Sequence, residues 1–371
     1  MRARSRDRWV YLASHPVLFA LLAATRHRHA LRLGGTVLVH GREAFVTALT
    51  RIPLDRTADG TTGGAAGRLT GTDMLFDQQG DAHRRTRRAI ADGLGAAGTA
   101  RLRPVWTEVL QRRLAPLARG GEVDLVDVAA ELAGSTAAAL IGHLADDRPA
   151  RQSRQPLTLD PLALAAAARA AGAMAARAHL RGLGRRHANA AAEAAAARLT
   201  ALIAPATGAH ASLATMLAVA AITTTVAALP RAAAWAADDD LWGYALSHPA
   251  ALTDELLRVT APTPLLPRVA AAPGDLGACP VRERDRLLLL ARHAVGAHRT
   301  GPDALDPAPA HVAQLVFGAG PHACPGARLA RAQMTDLLAA LAPYRPTVVR
   351  ARADRRAALP SWRSLVIRAA A

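Results

Sequence analysis

The sequence predicts a mainly α fold with a minor β-sheet, organised as one domain over residues 1–371. Three observations lead there. Apolar residues recur at helical spacing through most of the chain, most clearly over Val123–Leu144 and Ala211–Ala237. Strand-like fragments are few, short and bounded by turn residues. No internal repeat and no break in composition divides the chain.

Taken in order, Trp9–Ala24 is an apolar stretch behind Arg2, Arg4, Arg6 and Arg8, which resembles a signal peptide. His15-Pro16 breaks it, no small-x-small cleavage site follows and Arg26-His27-Arg28 comes next, so an amphipathic first helix is the better reading. Leu31–His40 reads as a hairpin turning at Gly34-Gly35, and Glu43–Thr50 as a short helix. The Gly/Thr-rich stretch Asp59–Gly71 reads as a loop. Asp81–Leu94 and Thr107–Leu117 have helical period, as does Val123–Leu144. Pro161–Ile203 is alanine with interspersed arginine; its helix propensity is high but its apolar surface small, which predicts one or two loosely held lid helices over about 160–205. A plain structural helix pair is the competing reading. Beyond the long helix Ala211–Ala237, which carries Thr223-Thr224-Thr225, another helix spans Pro249–Thr260 and ends at prolines 262, 264 and 267. Leu265–Ala270, Arg286–Leu290 and Trp362–Ile367 read as strands, His293–Ala313 as irregular, and Pro325–Leu341 as the last helix.

Composition excludes several classes. The 46 basic residues are all arginine and give a formal charge of +17 against 29 acids. They are scattered from Arg2 to Arg368 among 3% aromatics, whereas a nucleic-acid surface clusters its cations and interleaves stacking rings. Abundant Ala and Arg together reflect a GC-rich coding sequence. Two cysteines, Cys279 and Cys324, rule out a disulfide-stapled scaffold and fit a reducing cytoplasm. Neither a nucleic-acid nor a membrane partner is expected.

The strongest chemical signal is Phe317-Gly318-Ala-Gly320-Pro-His322-Ala-Cys324-Pro-Gly326, followed at once by a helix. A lone buried cysteine is usually an inert small hydrophobe. This one is delivered by a glycine-rich loop to a helix N-terminus, where the dipole favours a thiolate. Gly320 and Gly326 allow tight turns and the close approach of a flat ligand, and Phe317 supplies an apolar wall beside the sulfur.

The run resembles the haem-binding loop of the cytochrome P450 family, phenylalanine-x-x-glycine-x-histidine/arginine-x-cysteine-x-glycine, at every fixed position. That resemblance implies a cytochrome P450-like single-domain fold, haem b (iron protoporphyrin IX) as cofactor and Cys324 as its iron ligand. Residues 314–331 would form the haem-thiolate loop and the start of the helix behind it. Other segments match in the family's order. Glu255-Leu-Leu-Arg258 is similar to the family's Glu-x-x-Arg helix; alone, such an i,i+3 pair is a commonplace surface feature. His83 and Arg87, one turn apart in a run that otherwise reads as a solvated face, match its propionate-binding pair. Arg268 resembles its propionate-binding arginine, and His322 would be a further propionate partner.

The departures concern the distal helix and the segment before the cysteine. Ala220-Ala221-Ile222-Thr223-Thr224 stands where the family has Ala-Gly-x-Asp/Glu-Thr. Thr224 would then meet iron-bound oxygen, Thr223 would replace the acid, and Ala220 and Ala221 would line the substrate site. Consecutive helical threonines also read as side chains bonded back to the preceding turn. The third arginine of the Glu/Arg network is absent or displaced, with Arg299 the nearest candidate. The resemblance implies a soluble bacterial oxidase or monooxygenase for a small or medium organic molecule, with a ferredoxin-type donor in trans near Arg328 and Arg331. Loss of the distal acid opens oxidative coupling, ring formation, peroxide use or redox-neutral chemistry; a non-catalytic haem-binding protein is the remaining class.

Overall fold

The computed structural model describes residues 3–70, 75–146, 159–180 and 185–370. The N-terminal stretch forms two helices, α1 (Ala3–Ser14) and α2 (Pro16–Thr25), divided where expected because Pro16 opens the second one. The predicted hairpin is β1 (Ala30–Leu33) with β2 (Thr36–Val39), turning at Gly34, whose φ of 61° suits glycine. Helix α3 (Arg42–Thr50) and strand β3 (Leu54–Asp55) follow.

The expected loop Asp59–Gly71 instead contains helix α4 (Thr62–Thr70). Its glycines answer crowding: a Cβ on Gly63 would lie 2.1 Å from the Arg56 carbonyl, and one on Gly64 2.3 Å from that of Ala58. The Thr61 hydroxyl accepts the Gly64 N–H at 2.9 Å and caps the helix. Helix α5 (Gly80–Leu94) agrees with expectation, but α6 (Ala96–Leu114) begins well before the expected Thr107 and carries Pro104 inside it. Val123 belongs to strand β4 (Glu122–Asp124), and helix α7 (Leu125–Asp146) starts behind it, where the Asp124 carboxylate accepts the Val126 N–H.

Helices α8 (Pro161–Leu180) and α9 (Arg185–Thr207) occupy the expected lid region; its residues 181–184 lie outside the described residues. They are not loosely held. Leu164, Ala165, Ala168 and Ala171 of α8, and Ala195, Leu199 and Ile203 of α9, belong to the main core. Small side chains let these helices approach α7 and the long α10 (Ala211–Asp238) closely, so alanine here brings backbones together. Helices α7 and α10 are long and apolar enough to cross a bilayer, and both are mostly buried within the protein.

Helices α11 (Trp242–Ser247) and α12 (Pro249–Thr260) lead into strands β5 (Leu266–Ala270), β6 (Gly274–Leu276), β7 (Cys279–Val281) and β8 (Arg286–Leu289). The expected irregular segment holds only short helices α13 (Ala291–Ala294) and α14 (Ala310–Ala313). Helix α15 (Ala327–Leu341) and strands β9 (Thr347–Ala353) and β10 (Trp362–Arg368) complete the order. One sheet runs β1-β2-β8-β5-β3, with β2 parallel to β8 and its other pairs antiparallel; another runs β4-β10-β9, and β6 pairs with β7. The main core joins α5–α10, α12 and α15, while a second cluster, with Val37, Phe45, Leu287, Leu289 and Leu315, lies between the larger sheet and the cysteine loop.

Candidate functional site

The segment before α15 is a tight, backbone-bonded loop. Gly318 (φ 79°) and Gly320 (φ 71°) occupy the left-handed region, so the turns fall there. Gly326, expected at a turn, has an ordinary φ of −86°. Its contribution is a backbone N–H directed at the Cys324 sulfur. The Cys324 N–H donates to the Phe317 carbonyl at 2.8 Å, which fixes the thiol beside that residue. Cys324 is solvent-accessible, yet it is set so deeply among neighbouring atoms that desolvation raises its thiol pKa. The Gly326 N–H, Arg87 and Arg331 pull the other way and lose. Without a metal, burial thus outweighs these three groups at the sulfur; a bound cation would favour the thiolate.

Around this loop four expected side chains converge, and a fifth joins them. His83 is buried on α5, with its ring centroid 3.8 Å from that of His322. Arg87, one turn on, donates to the Ala323 carbonyl at 2.7 Å. Arg268 on β5 donates to the Pro267 carbonyl at 2.8 Å and reaches the Thr62 hydroxyl of α4 at 3.3 Å. Its Nε is buried without a partner. Arg56, after β3, is the residue the sequence did not single out: nothing in its spacing distinguishes it, and only the chain path brings it beside Arg268.

The electrostatics of this group are one-sided. Burial pushes Arg56 and Arg268 down to about 10, and Arg56 adds to the effect on Arg268. His322 is pushed down to about 3 by burial and then by Arg56, His83, Arg268 and Arg87. His83 is lowered by burial and by Arg87, Arg56 and Arg84. Among the described residues, no acid acts on any of the four. Cations gathered under desolvation with an orphaned Nε need anionic acceptors, and the paired carboxylates of a porphyrin supply them. The residues present fit the implied group.

Helix α10 carries the remaining expected site residues. It is buried over 214–218 and again over 226–236, but 219–221 and 223–225 are half-exposed, so a core helix surfaces in its middle. Ala220, Ala221, Thr223 and Thr224 all lie in this window. Both threonines bond backwards: Thr223 Oγ1 donates to the Val219 carbonyl at 2.6 Å and Thr224 Oγ1 to that of Ala220 at 2.8 Å. Each hydroxyl oxygen keeps lone pairs able to accept a further hydrogen bond. The Thr223 methyl faces Gly172 of α8, where a Cβ would stand 2.8 Å away.

No protein-family model matches the chain, and no curated protein is significantly similar to it. Solved structures are. P450BioI, bound to an acyl carrier protein carrying hexadec-9Z-enoic acid, matches with a TM-score of 0.73 at 17% identity over 96% of this chain and 99% of its own. A mutant of P450 EryK in complex with erythromycin B matches at 0.70 and 18% identity, over 97% and 98%. The mycinamicin VIII C21 methyl hydroxylase MycCI from Micromonospora griseorubida matches at 0.69 and 20% identity, over 93% and 95%. This chain has the cytochrome P450 fold.

Within the P450 fold, Glu255 and Arg258 on α12 form a buried ion pair at 2.6 Å. Arg299 is not among the partners of Glu255. Its carboxylate accepts the backbone N–H groups of Asp303 and Ala308, both at 3.0 Å, while Arg258 donates to the Gly301 carbonyl at 2.6 Å. Backbone donors thus replace the expected third arginine and lock the segment that leads to the cysteine loop. Of the two arginines expected at a docking face, Arg331 is engaged: it binds Asp254 at 2.6 Å, reaches Gln314 and stacks on the Phe317 ring. Arg328 is exposed without a partner among the described residues.

Proposed function

We propose that this protein is a haem-thiolate oxidase or monooxygenase for a small or medium organic molecule, acting in bacterial secondary metabolism. The observation that carries the reading is the cluster of Arg56, His83, Arg268 and His322, on which no acid among the described residues acts, around the loop that presents Cys324. Haem b is the group whose two carboxylates and iron suit that arrangement. Bound there with Cys324 as ligand, it would supply single-electron redox and oxygen activation, with thiolate donation favouring O–O cleavage. The chain's own contributions are positional. His83, Arg268 and His322 hold the carboxylates; Arg87 does so too while bracing the Ala323 carbonyl. The Gly326 N–H tempers the sulfur's charge, and Phe317, under Arg331, limits water beside it. Ala220 and Ala221 line the substrate recess, and Thr224 offers a hydroxyl acceptor to it. The solved relatives with erythromycin B and mycinamicin VIII support natural-product substrates. A ferredoxin-type donor in trans would supply electrons, with Arg328, exposed and unpartnered among the described residues, a cation for it, and the protein working in the cytoplasm. The purified protein is expected to give a thiolate-type Soret shift on reduction under carbon monoxide; Cys324→Ala abolishes it and Cys279→Ala leaves it intact. Absence of that shift from the wild type overturns the reading.

Thr223 supports a second reading of the same site. No side chain in the α10 window can ionise, and the Thr223 hydroxyl is tied to the Val219 carbonyl. Proton delivery from this position is weak, which suits oxidative coupling, ring formation, peroxide use or redox-neutral chemistry better than hydroxylation. Thr223→Asp separates the two: faster oxygen-dependent turnover marks a weakened monooxygenase, and no gain marks the acid-free chemistry. Bound haem without turnover under any donor or peroxide marks a binding protein instead.

A further inference from the structure

We propose that α2 and the cationic cluster at its C-terminal end form a docking surface for a bilayer bearing anionic phospholipid. Helix α2, PVLFALLAAT, carries no polar side chain before its last residue. A helix apolar on every side belongs in a protein core or in lipid. Here Leu22 alone of its ten residues is buried. Val17 is 82% exposed and Leu21 44%, and Pro16, Ala20 and Ala24 are exposed with them. Positions 16, 17, 20, 21 and 24 follow helical spacing, so they form one continuous outward stripe. On the adjoining α1, Trp9 and Leu12 add exposed apolar surface. At about 15 Å, α2 covers about half of a hydrocarbon core, so it would lie in the interface and not cross it.

Charge identifies the occupant. Arg26, His27 and Arg28 follow the helix directly and are exposed. The charged groups acting on His298 are Arg26, Arg299, Arg292 and Arg4, every one a cation. The side chains of Arg26 and Arg299 have no hydrogen bond or ion pair among the described residues. His298 Nδ1 is buried with no partner. Arg292 is held by the Asp7 carboxylate and Arg4 by the Ala297 carbonyl, so Arg26 and Arg299 are the donors left open, and a phosphodiester headgroup offers the complementary oxygens. An apolar stripe ending in unpaired cations repeats the order of a bilayer surface, acyl chains and then phosphate. This departs from the sequence expectation of no membrane partner, and it does not depend on the haem reading.

The test is flotation of the full-length protein, as purified, with vesicles of phosphatidylcholine alone or mixed with phosphatidylglycerol. The wild type is expected to float with the mixed vesicles and to bind phosphatidylcholine at least about tenfold less. Val17→Asp with Leu21→Asp, and separately Arg26→Glu with Arg299→Glu, are each expected to lower the bound fraction about tenfold. Arg119→Glu with Arg350→Glu makes the same charge change on other exposed residues and is expected to leave binding unchanged. Should the aspartate pair fail to fold, Val17→Ser with Leu21→Ser is read in the same way. No binding to the mixed vesicles overturns the proposal. So does equal loss in the control pair, or self-association through α2 in lipid-free buffer without vesicle binding.

Discussion

Arg268 shows how much a single side chain can say about a missing partner. A guanidinium with Nε buried and unbonded costs about 1–3 kcal/mol relative to a satisfied one, and its neighbour Arg56 is another cation. Arg268→Met is therefore expected to raise the thermal midpoint of the haem-free protein while lowering its retention of haem during gel filtration. Loss of stability in the haem-free form would show that Arg268 has a purely structural partner. Of the surrounding residues, His83, Arg87, Arg268 and His322 were legible because each has a fixed place relative to a recognisable segment. Arg56 and Thr62 were not, since each arrives through a turn whose path depends on glycines 63 and 64 fitting under neighbouring carbonyls.

At the scale of elements, α10 poses a question its apolar sequence conceals: Arg231 sits in its buried half. The guanidinium binds the Asp7 carboxylate of α1 at 2.5 Å, and also the Tyr11 hydroxyl at 2.8 Å and the Thr260 carbonyl at 2.5 Å. Asp7 in turn holds Arg292 at 3.1 Å. Burial alone would lower the Arg231 pKa, but Asp7 and Tyr11 outweigh it and raise it. The first helix is thus the counter-charge of the central one. Removing one member of a buried ion pair costs about 3–5 kcal/mol, so Asp7→Asn is expected to lower the urea midpoint sharply. Asp7→Asn combined with Arg231→Met should recover part of the loss, because no uncompensated cation remains. Equal losses in the single and double variants would contradict this coupling. No periodicity could reveal the pair, whose partners are over two hundred positions apart, whereas helices α3, α5 and α12 follow from local pattern alone.

For the molecule as a whole, a histidine contact ties the N-terminal hairpin to the segment before the cysteine loop. His40 and His293 meet Nδ1 to Nδ1 at 2.7 Å. Burial, with His27 acting in addition, lowers His40 from 6.5 to about 4. Burial, then His40, His298, Arg292 and Arg26, lowers His293 to about 3. In the unfolded chain both titrate near 6.5, so below that pH the unfolded state binds more protons than the folded one. Stability is therefore expected to fall as pH drops from about 6.5 toward about 4, and to be unaffected by these groups above that window. His40→Gln with His293→Gln should flatten the thermal midpoint across the window; an unchanged slope would exclude the pair as its source.

The sequence by itself determined the helix-dominated class, the order of most elements, the cysteine loop and the Glu255–Arg258 helix. These are short-range properties: a period of apolar residues, a glycine that must take positive φ, two side chains one turn apart. Tertiary structure alone decided the rest. The glycines at 63 and 64 begin a helix because carbonyls crowd them, and the alanine-rich helices pack firmly because small side chains let backbones close. The Cys324 thiol is raised because desolvation exceeds the pull of the Gly326 N–H, Arg87 and Arg331. Glu255 takes backbone donors in place of a third arginine. In each case the outcome is set by which distant groups exclude water or share a hydrogen bond, and that information exists only once the chain has folded.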